Sequence, residues 1–258
     1  MTLLELVSAL DPVRVTSFVA FVSSVWLLAG WLKRRHLVRT GDARKINHAA
    51  VLVGGVFWFD SGRDLNDRVD CHLAVLILFS LLLMACRWRD SWAFRDVFYG
   101  YARESDRPHD AFHVWFSWLV SILGLEAVDI LFQSTDLTRC TALVLGLADA
   151  LGEPIGSRFG RHPYFVRDLL TSACRQRSWE GSLAVGLMTA VIIYLGFSPW
   201  FWTHGLASSP GSPGPLLAAL LAGLIVSLVE AWTPHGLDNL TIPISAALVL
   251  RSLSLVWH

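Results

Sequence analysis

Long apolar runs alternate with short charged stretches along most of the chain. A membrane-spanning helix needs roughly 17–25 apolar residues. Residues 15–31 and 111–132 meet that length, and 71–86 falls slightly short. Residues 181–202, 215–232 and 240–257 supply three more runs. Two others, 46–59 and 140–152, are short and polar at one end, where Asn47 and His48 or Asp149 stand. The pattern predicts an all-α fold, a polytopic integral membrane helical bundle of seven to eight transmembrane helices. It reads as a single membrane-embedded domain over residues 1–258, with 15–257 as the bundle. Residues 1–14 read as an interfacial segment, because MTLLELVSAL has neither the positive start nor the small-residue cleavage site of a secretory signal. The one low-complexity stretch is SSPGSPGP at 208–215.

Composition agrees with a lipid environment. The chain is 54% hydrophobic and 16% charged, with a mean hydropathy of +0.51, whereas soluble domains carry about 25% charged residues. The 21 Lys+Arg and 21 Asp+Glu cancel, which excludes a strongly basic nucleic-acid binder. The apolar content excludes a disordered chain. Twelve Trp and 14 Phe suit rings placed at a bilayer interface. Cys71, Cys86, Cys140 and Cys174 show no CxxC pair and no zinc-like spacing. The first three sit in or beside apolar runs and read as small buried hydrophobes.

Net zero hides an uneven distribution. Sixteen of the 21 basic residues fall in three alternate loops. Lys33, Arg34, Arg35, Arg39, Arg44 and Lys45 follow the first span; Arg87, Arg89, Arg95, Arg103 and Arg107 follow the third. Arg158, Arg161, Arg167, Arg175 and Arg177 follow the fifth. Cytoplasmic loops collect Lys and Arg, so these three loops are expected inside and both chain ends outside.

Several acids stand where stability alone would not put them. Asp149 and Glu153 are four apart, so they share a helical face and repel. Pro154 is expected to end that helix, which would leave both acids at the unfavourable carbonyl end of its dipole. A divalent cation would reverse these penalties, since hard cations take carboxylates and carbonyls; two solvated acids at an interface are the plain alternative. Gly156, Arg158, Gly160 and Arg161 come after them, a pattern that suits a phosphate as well as it suits a cytoplasmic loop. Arg177-Ser178-Trp179-Glu180-Gly181-Ser182 comes next, with Ser178 or Ser182 as a helix cap in the plain reading. Glu230 near the end of an apolar helix favours a functional role. Asp238 opens the last helix, where either it or Asn239 would cap equally well. Arg44, Lys45 and His48 could form one cationic wall, or the first two could be membrane anchors. All these groups fall at expected cytoplasmic helix ends. Basic groups, acids and glycines at one depth describe a site for a metal–polyphosphate complex, with the lipid phase holding the second substrate.

The motifs RKINH, ADALGEPIGSRFG, RSWEGS and EAWTPHGLDNLTIP occur in this order over residues 44–243. In that order they resemble the membrane-bound CTP-dependent lipid kinases: phytol, farnesol and dolichol (polyprenol) kinases and the CTP-dependent diacylglycerol kinase. Arg44, Lys45 and His48 match the first motif; Asp149, Gly156, Phe159 and Gly160 match the second. Arg177, Ser178, Gly181 and Ser182 follow the third, and Glu230, Asp238, Asn239 and Pro243 match the last. Departures are Ala148 for Gly, Gly152 for Ala, Glu153 for Asp, and Arg177 for Lys.

The resemblance implies transfer of the γ-phosphoryl group of CTP to a lipid alcohol, an isoprenoid alcohol or a diacylglycerol. It would occur at the cytoplasmic face, in a cell inner membrane. It implies Mg²⁺ held by Asp149, Glu153 and Glu230, with Asp149 and Asp238 acting on the reacting groups. Arg44, Lys45, His48, Gly156, Arg158, Gly160, Arg161, Arg177, Ser178, Gly181 and Asn239 would bind the nucleotide and its phosphates. Membrane lipids surround the protein, no nucleic acid is expected, and a homo-oligomer stays open. A phosphatidate cytidylyltransferase, which makes a CDP-lipid, is the alternative of similar chemistry. A non-catalytic membrane protein or transporter is the third class, but it predicts polar groups at mid-membrane.

Overall fold

Asp11 and Pro12 start the first helix. The Asp11 carboxylate accepts the N–H groups of Val13 and Arg14 at 3.0 and 3.1 Å, and Pro12 fits a first turn that needs no N–H from it. The computed structural model describes residues 10–59, 65–168, 174–196, 214–234 and 236–256. Most of the expected interfacial segment, residues 1–9, lies outside them, as do residues 208–213 of the low-complexity loop. The helices of the first half are α1 (Pro12–Arg34), α2 (Thr40–Trp58), α3 (Leu65–Arg87), α4 (Arg95–Tyr101) and α5 (Asp110–Phe132). Then come α6 (Thr135–Leu143), a π turn (Val144–Ala148) and α7 (Asp149–Phe159). An antiparallel hairpin, β1 (Pro163–Arg167) with β2 (Cys174–Ser178), leads to α8 (Trp179–Gly196), α9 (Gly214–Trp232) and α10 (Asp238–Val256).

The chain divides into two compact units, Met1–Leu119 and Val120–His258, and α5 runs from one into the other. In the first unit α1 packs against α2, α3 and α4. Gly30 lets α4 lie directly on α1, since a Cβ there would fall on the Asp96 backbone. The core of this unit is aromatic. Trp26 is 1% exposed and meets Tyr101 and Trp118 edge-on, with ring centroids 5.5 and 5.4 Å away. Burial pushes the Tyr101 phenol up, with Trp118 and Arg44 pulling the other way. Cys140 of the second unit is buried, Cys71 and Cys86 are half-buried, and all four cysteines are free.

In the second unit α8 packs closely on α9, because Gly186 and Gly223 face each other. A Cβ on Gly186 would stand 2.9 Å from the Gly223 carbonyl oxygen. Small residues allow this backbone approach, as they do in membrane helix pairs. α7 lies along α8, and α10 packs on α6, α9 and the π turn.

Four described helical stretches are long and apolar enough to cross a membrane: Pro12–Arg34, Arg68–Arg87, Asp110–Phe132 and Trp179–Gly196. Leu216–Trp232 is a shorter apolar helix. Large apolar side chains such as Leu76, Ile130, Leu187 and Leu224 point outward, each more than half exposed, which suits a lipid surround.

The helical architecture is the one expected, with three differences. The short apolar run at 46–59 belongs to a longer helix, α2, which begins at Thr40. The run at 140–152 is part of a rod that continues to Phe159. Pro154 therefore does not end it: Gly152 and Gly156 let the helix lie flat against α8, and that packing carries the chain across the proline. Lastly, the hairpin interrupts the series of helices where a basic loop was expected.

Candidate active site in the second unit

Asp149 comes directly after the π turn, at the start of α7, and is 7% exposed. The π turn adds a residue to the helical repeat and so rotates α7 relative to the face set by α6. The expected helix-end placement is corrected here. Glu153 lies inside α7 rather than at its carbonyl end, so the dipole penalty does not apply to it. The repulsion between acids four residues apart remains.

The hairpin places Arg177. It sits on β2 opposite Tyr164 of β1, and the alternation of the strands turns both toward the interior, leaving Phe165 and Arg167 exposed. The other end of the hairpin is closed by an Arg175–Asp168 ion pair at 3.0 Å. Arg177 is 12% exposed and contacts three acceptors. Its Nη1 stands 3.1 Å from Glu230 Oε1 and also donates to the Glu230 carbonyl oxygen, while its Nη2 donates to Asp238 Oδ2 at 3.1 Å. Burial disfavours its charge, but Asp238 and Glu230 more than offset this, helped by Tyr164 and Asp149. The guanidinium is thus held above its ordinary range. Glu230 and Asp238 both contact this one cation, although they come from separate helices, and the charge of Asp149 on a third favours it too.

Glu230 is held from its other side as well. The Ser182 hydroxyl donates to Glu230 Oε2 at 2.6 Å, and the Tyr164 hydroxyl stands 2.6 Å from Ser182 Oγ. Ser227 donates to the Ser182 carbonyl at 2.8 Å, fixing the first turn of α8 against α9. Ser178 is the N-cap of α8: its Oγ accepts the Gly181 N–H at 3.2 Å. Of the two serines offered as caps, Ser178 does the capping and Ser182 faces Glu230. Gly156 and Gly160 face the same turn. A Cβ on Gly156 would come 2.9 Å from Ser178 Oγ, and one on Gly160 would come 2.7 Å from it. Asp238 opens α10, with its Oδ1 accepting the Asn239 N–H at 3.1 Å. Asn239 is buried, and Gly124 of α5 lies against its backbone.

The other expected site residues lie further out. Arg158 and Arg161 are exposed at and just beyond the end of α7. Arg44 and His48 are one turn apart on α2 in the first unit, and Lys45 between them is 8% exposed. Among the described residues no three His, Cys, Asp or Glu side chains form a ready metal cage. Both Glu230 oxygens are already engaged, and the positive charge at this point is that of Arg177.

Tyr164 is the site residue that sequence reasoning missed. Its only trace was the alternation of Tyr164 and Val166 with exposed neighbours, which is too short to separate from a loop.

Comparison with known proteins agrees with the motifs. Over 115 residues the chain is 30% identical to phytol kinase of Synechocystis sp.. This protein is similar to a phytol kinase. The match covers 45% of this chain and 43% of that relative, so the chain spans less than half of the curated protein it matches. No family model matches, and no solved structure matches. With its apolar helices, the likeness makes the chain an integral membrane protein.

Proposed function

We propose that the protein is a membrane kinase that moves the γ-phosphoryl group of a nucleoside triphosphate, CTP, to the hydroxyl of a lipid alcohol. The observation that carries this reading is the pairing of Arg177 with both Glu230 and Asp238, which joins the last two of the four motifs into one ionic cluster, with the charge of Asp149 favouring the same cation. The likeness to a phytol kinase supports an isoprenoid alcohol as acceptor. The span count of seven to eight, the cytoplasmic orientation and an inner-membrane location belong to the same proposal.

Phosphoryl transfer needs positioning and charge neutralisation more than covalent help. Asp238, at the first turn of α10, would accept or orient the hydroxyl proton. Arg177 holds it in place and would counter the charge that builds on the transferred group. Arg158 and Arg161 would meet the nucleotide phosphates, and Asp149 would face the incoming complex. Asp149, Glu153 and Glu230 would hold Mg²⁺ as it binds with CTP, since this ion is taken by a few carboxylates together with the substrate's phosphates. The roles of Arg44, Lys45 and His48 rest on the motif resemblance alone.

One assay tests the chemistry. CTP labelled at the γ position, supplied with phytol or diacylglycerol in micelles, should yield labelled lipid. Label transferred from the α position instead would identify a cytidylyltransferase, and no transfer of either kind would overturn both enzyme readings.

A further inference from the structure

The hydrogen bonds around Glu230 have a direction that can be worked out from donor supply. A carboxylate paired with Arg177 is an acceptor only, so the bond from Ser182 to Glu230 Oε2 uses the single hydroxyl proton of Ser182. The Tyr164 oxygen lies 2.6 Å from Ser182 Oγ. With the Ser182 proton committed, Tyr164 must be the donor. Burial, and then the charge of Glu230, push the Tyr164 phenol up, which keeps that proton in place. The result is a one-way chain from Tyr164 to Ser182 to Glu230, in which each bond polarises the next.

The hairpin register adds a second fact. Tyr164 and Arg177 are directly paired across the two strands. One rung of the hairpin therefore holds both oxygens of the same carboxylate: Arg177 grips Oε1, and Tyr164 grips Oε2 through Ser182. The Tyr164 ring packs against Trp179 with centroids 5.1 Å apart, so ring packing and hydroxyl function are separable. Two points of attachment stop the Glu230 carboxylate from rotating, and its orientation in turn fixes how Arg177 reaches Asp238.

We propose that Tyr164 is a positioning residue of the phosphotransfer site, acting through Ser182 to lock Glu230 and thereby Arg177. This rests on the kinase reading above. The hairpin is then part of the active site, although sequence reasoning treated its residues as a basic loop.

The test uses the full chain purified in detergent micelles, with γ-labelled CTP and phytol as substrates. Tyr164→Phe removes only the hydroxyl. Its kcat is expected to fall about tenfold, the effect of one hydrogen bond in a charged network. KM for CTP and for phytol, and the thermal unfolding midpoint, should stay as in the wild type. Ser182→Ala should lose as much, and the double variant should be no slower than Ser182→Ala alone, because that change already breaks the chain. Wild-type kcat in Tyr164→Phe, a loss confined to KM or to the unfolding midpoint, or multiplying losses in the double variant would each overturn the role. If the wild type transfers no γ label to phytol or to diacylglycerol, the kinase reading falls, and the role of Tyr164 with it.

Discussion

The aromatic cluster of the first unit and the ionic cluster of the second are both buried, and they are built on opposite principles. Trp26, Tyr101 and Trp118 meet edge to face, an arrangement worth about 0.5–1.5 kcal/mol per pair beyond the area it buries. Arg177 with Glu230 and Asp238 draws three charges out of most of their water at a cost the mutual attraction does not reliably offset. Apolar residues of the same volume would serve packing as well or better. Ring packing accounts for the placement of the first cluster and nothing comparable accounts for the second, which is the reason to assign function to the second.

The sharpest way to break this contrast is Asp149→Asn. Turnover should fall by about 100-fold or more, as when one preorganised electrostatic group is removed from an active site. The unfolding midpoint should hardly move, because Glu230 and Asp238 still neutralise Arg177. Near-normal labelled product from that variant would remove Asp149 from the reaction. Trp26→Ala should give the reverse pattern: a loss of about 3–5 kcal/mol of stability, with unchanged turnover per folded molecule. Denaturation followed alongside the activity assay separates the two.

Gly156→Ala probes the border between packing and function. Its new Cβ would stand 2.9 Å from Ser178 Oγ, so about 1–3 kcal/mol of overpacking strain is expected. A modest rate loss should accompany it, as the capped turn that carries Ser182 is pushed aside. The smallest effect belongs to His162→Ala. His162 pairs with Glu180 at 2.7 Å, but on an exposed rim, and pairs of that kind contribute little. Neither the unfolding midpoint nor the rate should change measurably. A clear loss of rate there would extend the site outward along the hairpin.

Much of this molecule was legible one segment at a time. Apolar runs predicted α1, α5, α9 and α10 within a few residues, since a span is set by the length of its own apolar stretch. Asp238 was expected at the start of the last helix, where it stands. Ser178 or Ser182 was expected as a cap, and Ser178 is the one that caps. The course of the chain through Pro154 is not legible locally. Proline is a strong local signal against helix, and only the contact of Gly152 and Gly156 with α8 overrides it. The hairpin was invisible because strands of five residues, PYFVR and CRQRS, are too short for their alternation to stand out from a basic loop.

The sequence by itself determined which segments are apolar enough for lipid, how the basic residues are distributed, and which polar residues are out of place. Each of these is a sum over neighbours in the chain, so no fold is needed to evaluate it. Only the tertiary structure decided that Arg177 meets Asp238 across 61 positions and that Ser182 meets Glu230 across 48. It also turned Asp149 inward after a π turn and placed Tyr164 on the serine that holds the same carboxylate. Those pairings depend on how helices and a hairpin pack, and packing is a property of surfaces that the order of residues does not display.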